Sequence, residues 1–100
     1  MGHVSLRGRP VEQIATLPDG REAVVRIAVP EDPYIPRREL TTVALELTVD
    51  GRVQATLNTV LGVEQESEAL ELAREIVGGL ESGGLQPTAG SLEPLVDVLR

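Results

Sequence analysis

Residues 40–58 read LTTVALELTVDGRVQATLN, and apolar and polar side chains alternate on both sides of Asp50-Gly51. An Asp-Gly pair between two alternating runs is the strongest short-range signal of a β-hairpin, because a type I′ turn needs positive φ at both central residues. The stretch therefore predicts two antiparallel strands, near 40–49 and 52–58. The side chains that we expect to face the core are Val43, Leu45, Leu47, Val49, Val53, Ala55 and Leu57.

A second hairpin is predicted upstream of this one. Residues 21–29 alternate and are rich in β-branched side chains, which favours a strand. Residues 11–17 taken alone fit either a strand or a helix begun by Pro10. The turn signal LPDG at residues 17–20 favours the strand, because proline fixes its own φ and glycine accepts a left-handed conformation.

Two helices are predicted in the second half of the chain. Residues 64–77 place apolar side chains three and four positions apart, and Gly78-Gly79 then supplies the left-handed residue at which helices commonly end. A short final helix begins at Ser91 as its N-cap, with Pro94 in the first turn, where a missing N–H costs nothing. The predicted apolar stripes are Ala69, Leu72, Ala73 and Ile76 in the long helix, and Leu92, Leu95, Val96 and Leu99 in the short one.

These elements predict an α+β fold, in which a four-stranded, mainly antiparallel meander has the long helix packed on one face and the short C-terminal helix at its end or edge. The length of 100 residues suits a single domain over residues 1–100. Residues 1–9 alternate weakly and either extend an edge strand or are disordered, and residues 81–90 form a flexible connector. The uncovered sheet face mixes charges with side chains mild enough to support dimerisation: Val24, Ala28, Ala44 and Thr48.

The composition narrows the possible chemistry. The sequence has no cysteine, which excludes disulfides and thiolate-ligated metal sites, and its one histidine is His3. It contains neither a phosphate-binding glycine loop nor a carboxylate metal motif. The net charge is −7 and there is one aromatic residue, whereas nucleic-acid binders need positive charge and stacking side chains. No apolar run approaches the roughly 20 residues of a membrane span. We therefore expect no metal, cofactor, nucleic acid or membrane partner.

The best candidate for a functional site is the proline-rich segment at residues 30–39, PEDPYIPRRE. Its prolines restrict the free chain, so side chains presented from it lose less entropy on binding. Tyrosine and arginine are also enriched in interface hot spots. An alternative is that the tyrosine packs over a sheet edge and the arginines pair with neighbouring acids. The candidate binding residues are Asp32, Tyr34, Arg37 and Arg38.

The absence of catalytic residue types, together with this segment, predicts a cytoplasmic, non-catalytic module that binds or regulates a protein partner of unknown identity and self-associates as a homodimer. Two alternatives stay open. One is a small-ligand binder in which Arg37 and Arg38 clamp a carboxylate or phosphate. The other is an enzyme that uses paired carboxylates.

Overall fold

The computed structural model describes residues 10–30 and 42–97. Within these ranges, four strands are followed along the chain by two helices. The strands are β1 (Val11–Thr16), β2 (Glu22–Ala28), β3 (Thr42–Val49) and β4 (Arg52–Gly62), and the helices are α1 (Glu66–Ser82) and α2 (Ala89–Asp97).

The four strands form an antiparallel sheet in the order β1-β2-β3-β4, so each strand pairs with its neighbour in the chain. The pairing of β1 with β2, from Val11 opposite Ile27 to Thr16 opposite Glu22, confirms the strand and excludes the helix at this position. Helix α1 packs mainly on β1 and β2, and α2 packs on β4. The predicted α+β fold, a meander with one long and one short C-terminal helix, is therefore confirmed.

The core lies between the sheet and the helices and is aliphatic. Ala15 and Ala23 are cross-strand partners and both are fully buried, and these small side chains let α1 approach the sheet closely. Transfer of such apolar surface from water stabilises the fold by roughly 25 cal/mol per Å². The fully buried larger side chains are Val25, Ile27, Val43, Leu45 and Leu47 from the strands, and Ile76, Leu80 and Leu92 from the helices.

Both hairpin turns have the backbone conformations that their sequences predict. Asp50 has a φ of 49° and Gly51 a φ of 82°, as a type I′ turn requires. The Asp50 carboxylate also accepts a hydrogen bond of 3.2 Å from the backbone N–H of Glu22, which ties the turn to the start of β2. In the first hairpin, Gly20 has a φ of 92° and donates its N–H to the Leu17 carbonyl at 2.9 Å.

The prediction that Val53 faces the core is wrong, and a β-bulge is the reason. Thr48 pairs with Val53, whereas the next pair along the strands is Leu47 with Ala55. Gln54 is therefore an extra residue in β4. Val53 lies beside Thr48 on the uncovered face and is 58% exposed, whereas Ala55, beyond the bulge, is buried as predicted.

Strand β4 continues past its predicted end at residue 58, and a second register shift occurs near Thr59. The Thr59 side chain is buried. Its hydroxyl donates a hydrogen bond of 2.6 Å to the Val43 carbonyl and accepts one of 3.2 Å from the N–H of Leu61. The hydroxyl thus links β3 to β4 where the backbone pairing is irregular.

Helix α1 begins and ends later than predicted, because Gly78-Gly79 lies inside the helix instead of ending it. Leu80 is fully buried and extends the apolar stripe by one turn. The helix ends at Gly83, which has a φ of 81° and donates its N–H to the Leu80 carbonyl at 3.3 Å. Gly79 provides space rather than a turn, since a Cβ there would lie 2.6 Å from Cγ of Leu85.

Helix α2 begins at Ala89, before the predicted N-cap at Ser91. Thr88 takes the capping position, and its hydroxyl accepts the N–H of Ser91 at 3.3 Å. Because the helix starts earlier than predicted, Pro94 lies in its interior, not in its first turn. Gly90 lies one turn before Pro94 and is exposed. Its carbonyl receives no hydrogen bond from Pro94, which has no N–H, and can bond to water instead.

Some predictions fall beyond the described ranges, namely those for residues 1–9 and for Leu99. The connector predicted at 81–90 is shorter, because its two ends belong to α1 and α2. Its flexibility stays a prediction. Leu92 and Val96 of α2 are buried in the core, so the final helix docks on its own chain.

Candidate functional site

The four binding residues predicted from the sequence lie outside the described part of the chain. They are Asp32, Tyr34, Arg37 and Arg38, within residues 31–41, and their binding role stays a prediction. The described residues present a different candidate. It is the face of the sheet that neither helix covers, which we call the open face.

Cross-strand pairing arranges the side chains of the open face in rows that run across the strands. Neighbours within a row have Cβ atoms about 4.5–5.5 Å apart, so their side chains touch. The first row, which we call the apolar row, consists of Ile14, Val24, Thr48 and Val53. The next, the charged row, consists of Glu12, Arg26, Glu46 and Thr56. A third row of small side chains consists of Ala28, Ala44 and Asn58.

The open face carries exposed aliphatic side chains. Within residues 10–30 and 42–97, the large aliphatic side chains that are exposed are Ile14 at 62%, Val53 at 58% and Val60 at 45%. Ile14 and Val53 belong to the apolar row, and Val60 alternates in step with Thr56 and Asn58 of β4. Ile14 and Val53 occupy the two ends of the apolar row, on the edge strands. Single exposed aliphatic residues are ordinary, but several on one face make that face a candidate interaction surface.

Opposite charges alternate along the charged row. Nε of Arg26 lies 3.5 Å from the Glu12 carboxylate, and the strand register places Glu46 on the other side of Arg26. The Arg26 and Glu12 side chains are 45% and 57% exposed, so this ion pair contributes at most about 1 kcal/mol. A guanidinium has five N–H donors, so Arg26 can bind a further carboxylate.

A shallow depression lies beside the charged row, at the end of the open face nearest Pro30. Its walls include Arg26, Glu46 and the small side chains of Ala28 and Ala44. One basic and one acidic side chain balance each other there. Among the described residues, its lining therefore offers no excess of either charge to a small ion.

The ionisable side chains of the described residues are exposed or partly exposed. The pKa of Asp19 is lowered below its ordinary value, chiefly because its carboxylate accepts the backbone N–H of Arg21 at 3.0 Å. A second hydrogen bond, 2.7 Å long, comes from Nε of the same arginine. Within the described ranges, no group of three or more His, Cys, Asp or Glu side chains is arranged to hold a metal ion.

Two members of the apolar row, Ile14 and Val53, are not among the open-face residues that the sequence predicts. The signal for Ile14 is present, because it alternates in step with Glu12 and Thr16 once residues 11–16 are taken as a strand. The position of Val53 depends on the bulge at Gln54, which simple alternation does not reveal.

No family model matches this chain, and the curated proteins and solved structures that were compared include no match. Neither helix in the described ranges combines the length and the apolar character needed to cross a membrane. The case for the open face therefore rests on its own geometry and charges.

Proposed function

We propose that the chain is a cytoplasmic, non-catalytic protein-binding module that acts as a homodimer through the open face of its sheet. The observation that carries this proposal is that the exposed large aliphatic side chains of the described residues share the one sheet face that the helices leave uncovered. Covering that face removes apolar surface from water, which favours association by roughly 25 cal/mol per Å² before the entropic cost of binding.

The size of the open face sets the expected strength of association. Four strands spaced about 4.8 Å apart, each with about six residues at about 3.3 Å, cover roughly 19 Å by 20 Å. This footprint of roughly 400 Å² per protomer is smaller than the roughly 800 Å² per partner of a stable complex. We therefore expect a weak, reversible dimer, as suits a regulatory contact.

The charges of the open face limit how two copies can approach each other there. The three rows together contain two acidic residues and one basic, Glu12, Glu46 and Arg26. Glu22 and Asp50 add two acids at the end of the same face, and the whole chain has a net charge of −7. The density of negative charge on the open face is not lower than the average over the surface, so two copies can approach there only if Arg26 faces an acid of the partner.

Sedimentation velocity across micromolar to millimolar protein concentrations tests the proposal. We expect the wild type to dimerise and the Ile14→Glu and Val53→Glu variants to remain monomeric, because each substitution would bury an unpaired carboxylate in the interface. The matched control is Ser67→Glu, which adds the same charge at an exposed position of α1 and should dimerise like the wild type. A wild type that stays monomeric at millimolar concentration would contradict the proposal, as would open-face variants that dimerise as tightly as the control.

A further inference from the structure

We infer that the open face binds a second copy of the chain across a two-fold axis that runs parallel to the strands, midway between β2 and β3. This inference rests on the proposed function and adds the partner and its orientation. Its basis is that the two central strands carry opposite charges at the same level of the sheet, Arg26 on β2 and Glu46 on β3.

This axis makes the charged row complementary to itself. It places β2 of one protomer opposite β3 of its partner, and β1 opposite β4, while each row stays opposite the same row of the other copy. Arg26 then faces the partner's Glu46, and Glu46 faces the partner's Arg26. A two-fold interface always repeats each contact in this way, so one favourable pair becomes two.

The same axis brings the exposed aliphatic side chains together. Ile14 faces the partner's Val53, which covers the two most exposed large aliphatic residues of the described ranges. In the third row, Ala28 is already buried within its own chain at 6% exposed, so this row adds little to the contact. Packed sheets cross at roughly 30°, so the correspondence is closest on β2 and β3, which carry the charge pairs.

A two-fold axis perpendicular to the strands fits the charges less well. If it passes through the charged row, Arg26 faces the partner's Arg26. If it passes through the apolar row, Arg26 faces the partner's Glu22, but the half-buried Glu46 faces the partner's Asp50. The parallel axis also brings two acids together, Glu22 and the partner's Asp50, but both are exposed at the end of the sheet, where water and salt screen them.

Charge reversal separates these arrangements. We expect Arg26→Glu and Glu46→Arg each to raise the Kd of self-association at least about tenfold, because each creates two like-charge contacts across the parallel axis. An equimolar mixture of the two variants should form a heterodimer with a Kd close to that of the wild type, since one copy then presents two acids to two arginines. Sedimentation velocity gives the Kd values, and native mass spectrometry distinguishes the heterodimer by its mass.

Folding controls accompany the measurement, because Arg26 and Glu46 are also cross-strand neighbours within one chain. Urea unfolding of each variant, at a concentration where the wild type is monomeric, shows whether the chains stay folded. Recovery of dimerisation in the mixture cannot come from repair within a chain, since each chain keeps its substitution. It therefore supports the inference even if each variant is somewhat less stable.

The outcomes distinguish the orientation from the proposed function. Tighter dimerisation by Glu46→Arg would overturn the parallel axis in favour of the perpendicular one, because the new arginine would face the partner's Asp50. A second outcome is that the wild type dimerises and Val53→Glu abolishes the dimer, but the mixture of charge-reversal variants does not associate. This result would overturn the orientation and leave the open face as the contact surface. A wild type that never dimerises would overturn both.

Discussion

Thr59 is the buried polar side chain of the described residues, and its removal is the most direct test of how β3 and β4 are joined. The hydroxyl donates to the Val43 carbonyl at 2.6 Å and accepts the N–H of Leu61 at 3.2 Å. Valine has nearly the same shape as threonine but can make neither bond. Thr59→Val therefore leaves the packing almost unchanged and removes both hydrogen bonds.

The size of the effect follows from these two contacts. A buried backbone group that loses its partner costs about 1–3 kcal/mol. The added methyl group contributes up to about 0.8 kcal/mol in the other direction. With both backbone groups at the lower end of the range, the free energy of unfolding falls by about 1–2 kcal/mol. For a chain of this length, that loss lowers Tm by roughly 5–15 °C.

Urea denaturation followed by circular dichroism measures this change as a lower midpoint with an unchanged slope. The protein concentration is held fixed, because self-association would add to the apparent stability. The control is Thr59→Ser, which keeps the hydroxyl, loses one methyl group and should cost about 1 kcal/mol or less. If Thr59→Val were as stable as the wild type, or more stable than Thr59→Ser, the hydroxyl would not join the two strands.

Two further predictions concern the end of α1 and the first hairpin turn. Gly78→Ala should raise the free energy of unfolding by about 0.5–1 kcal/mol, because its Cβ would meet nothing and alanine favours helix. Gly79→Ala should give no such increase, or should destabilise the protein, since its Cβ would lie 2.6 Å from Cγ of Leu85. If thermal denaturation showed the same increase in stability for both variants, the close contact would be refuted. The lowered pKa of Asp19 means that its ionised form stabilises the fold above the ordinary carboxyl pKa of about 3.9, and that this contribution is lost as the pH falls below it. Asp19→Asn should therefore reduce the drop in Tm between about pH 5 and pH 2, and an unchanged drop would show that the Arg21 hydrogen bonds do not matter.

Local signals in the sequence suffice for most of the fold. The Asp50-Gly51 turn forms as predicted because positive φ at two consecutive residues is a local requirement that few residue pairs meet. The pattern of residues 11–16 alone fits either a strand or a helix, and the turn that follows it correctly indicates the strand. In both cases the information lies within a few residues of the element that it determines.

The end of α1 could not be predicted because it depends on tertiary packing. Gly78-Gly79 resembles a left-handed stop, yet neither glycine has positive φ and the helix continues to Ser82. Helix α1 continues because this buries Leu80. Position 79 requires glycine because the Leu85 side chain packs against the helix there. Leu85 reaches that place only after the chain has turned back at the end of α1.

In the candidate site, too, the sequence predicts some residues and not others. Alternation predicts correctly that Val24, Ala44 and Thr48 are not fully buried, whereas Ala28, predicted on the same exposed face, is buried. Alternation does not reveal that Val53 is exposed, because this requires a bulge, whereas the exposure of Ile14 follows from alternation once β1 is predicted as a strand. The predicted Tyr34 and Arg37 site lies in residues 31–41, outside the described residues, and stays a prediction.

The Gln54 bulge connects the hairpin to the proposed contact. The tight Asp50-Gly51 turn places Val53 opposite Thr48, on the open face, and without an extra residue Ala55 would face outward too. The bulge returns Ala55 to the core and leaves Val53 outside. Threonine at position 53 would satisfy the strand's preference for a β-branched residue equally well without exposing as much apolar surface. Val53 is 58% exposed in one chain, so the proposed contact would remove further apolar surface at this position from water.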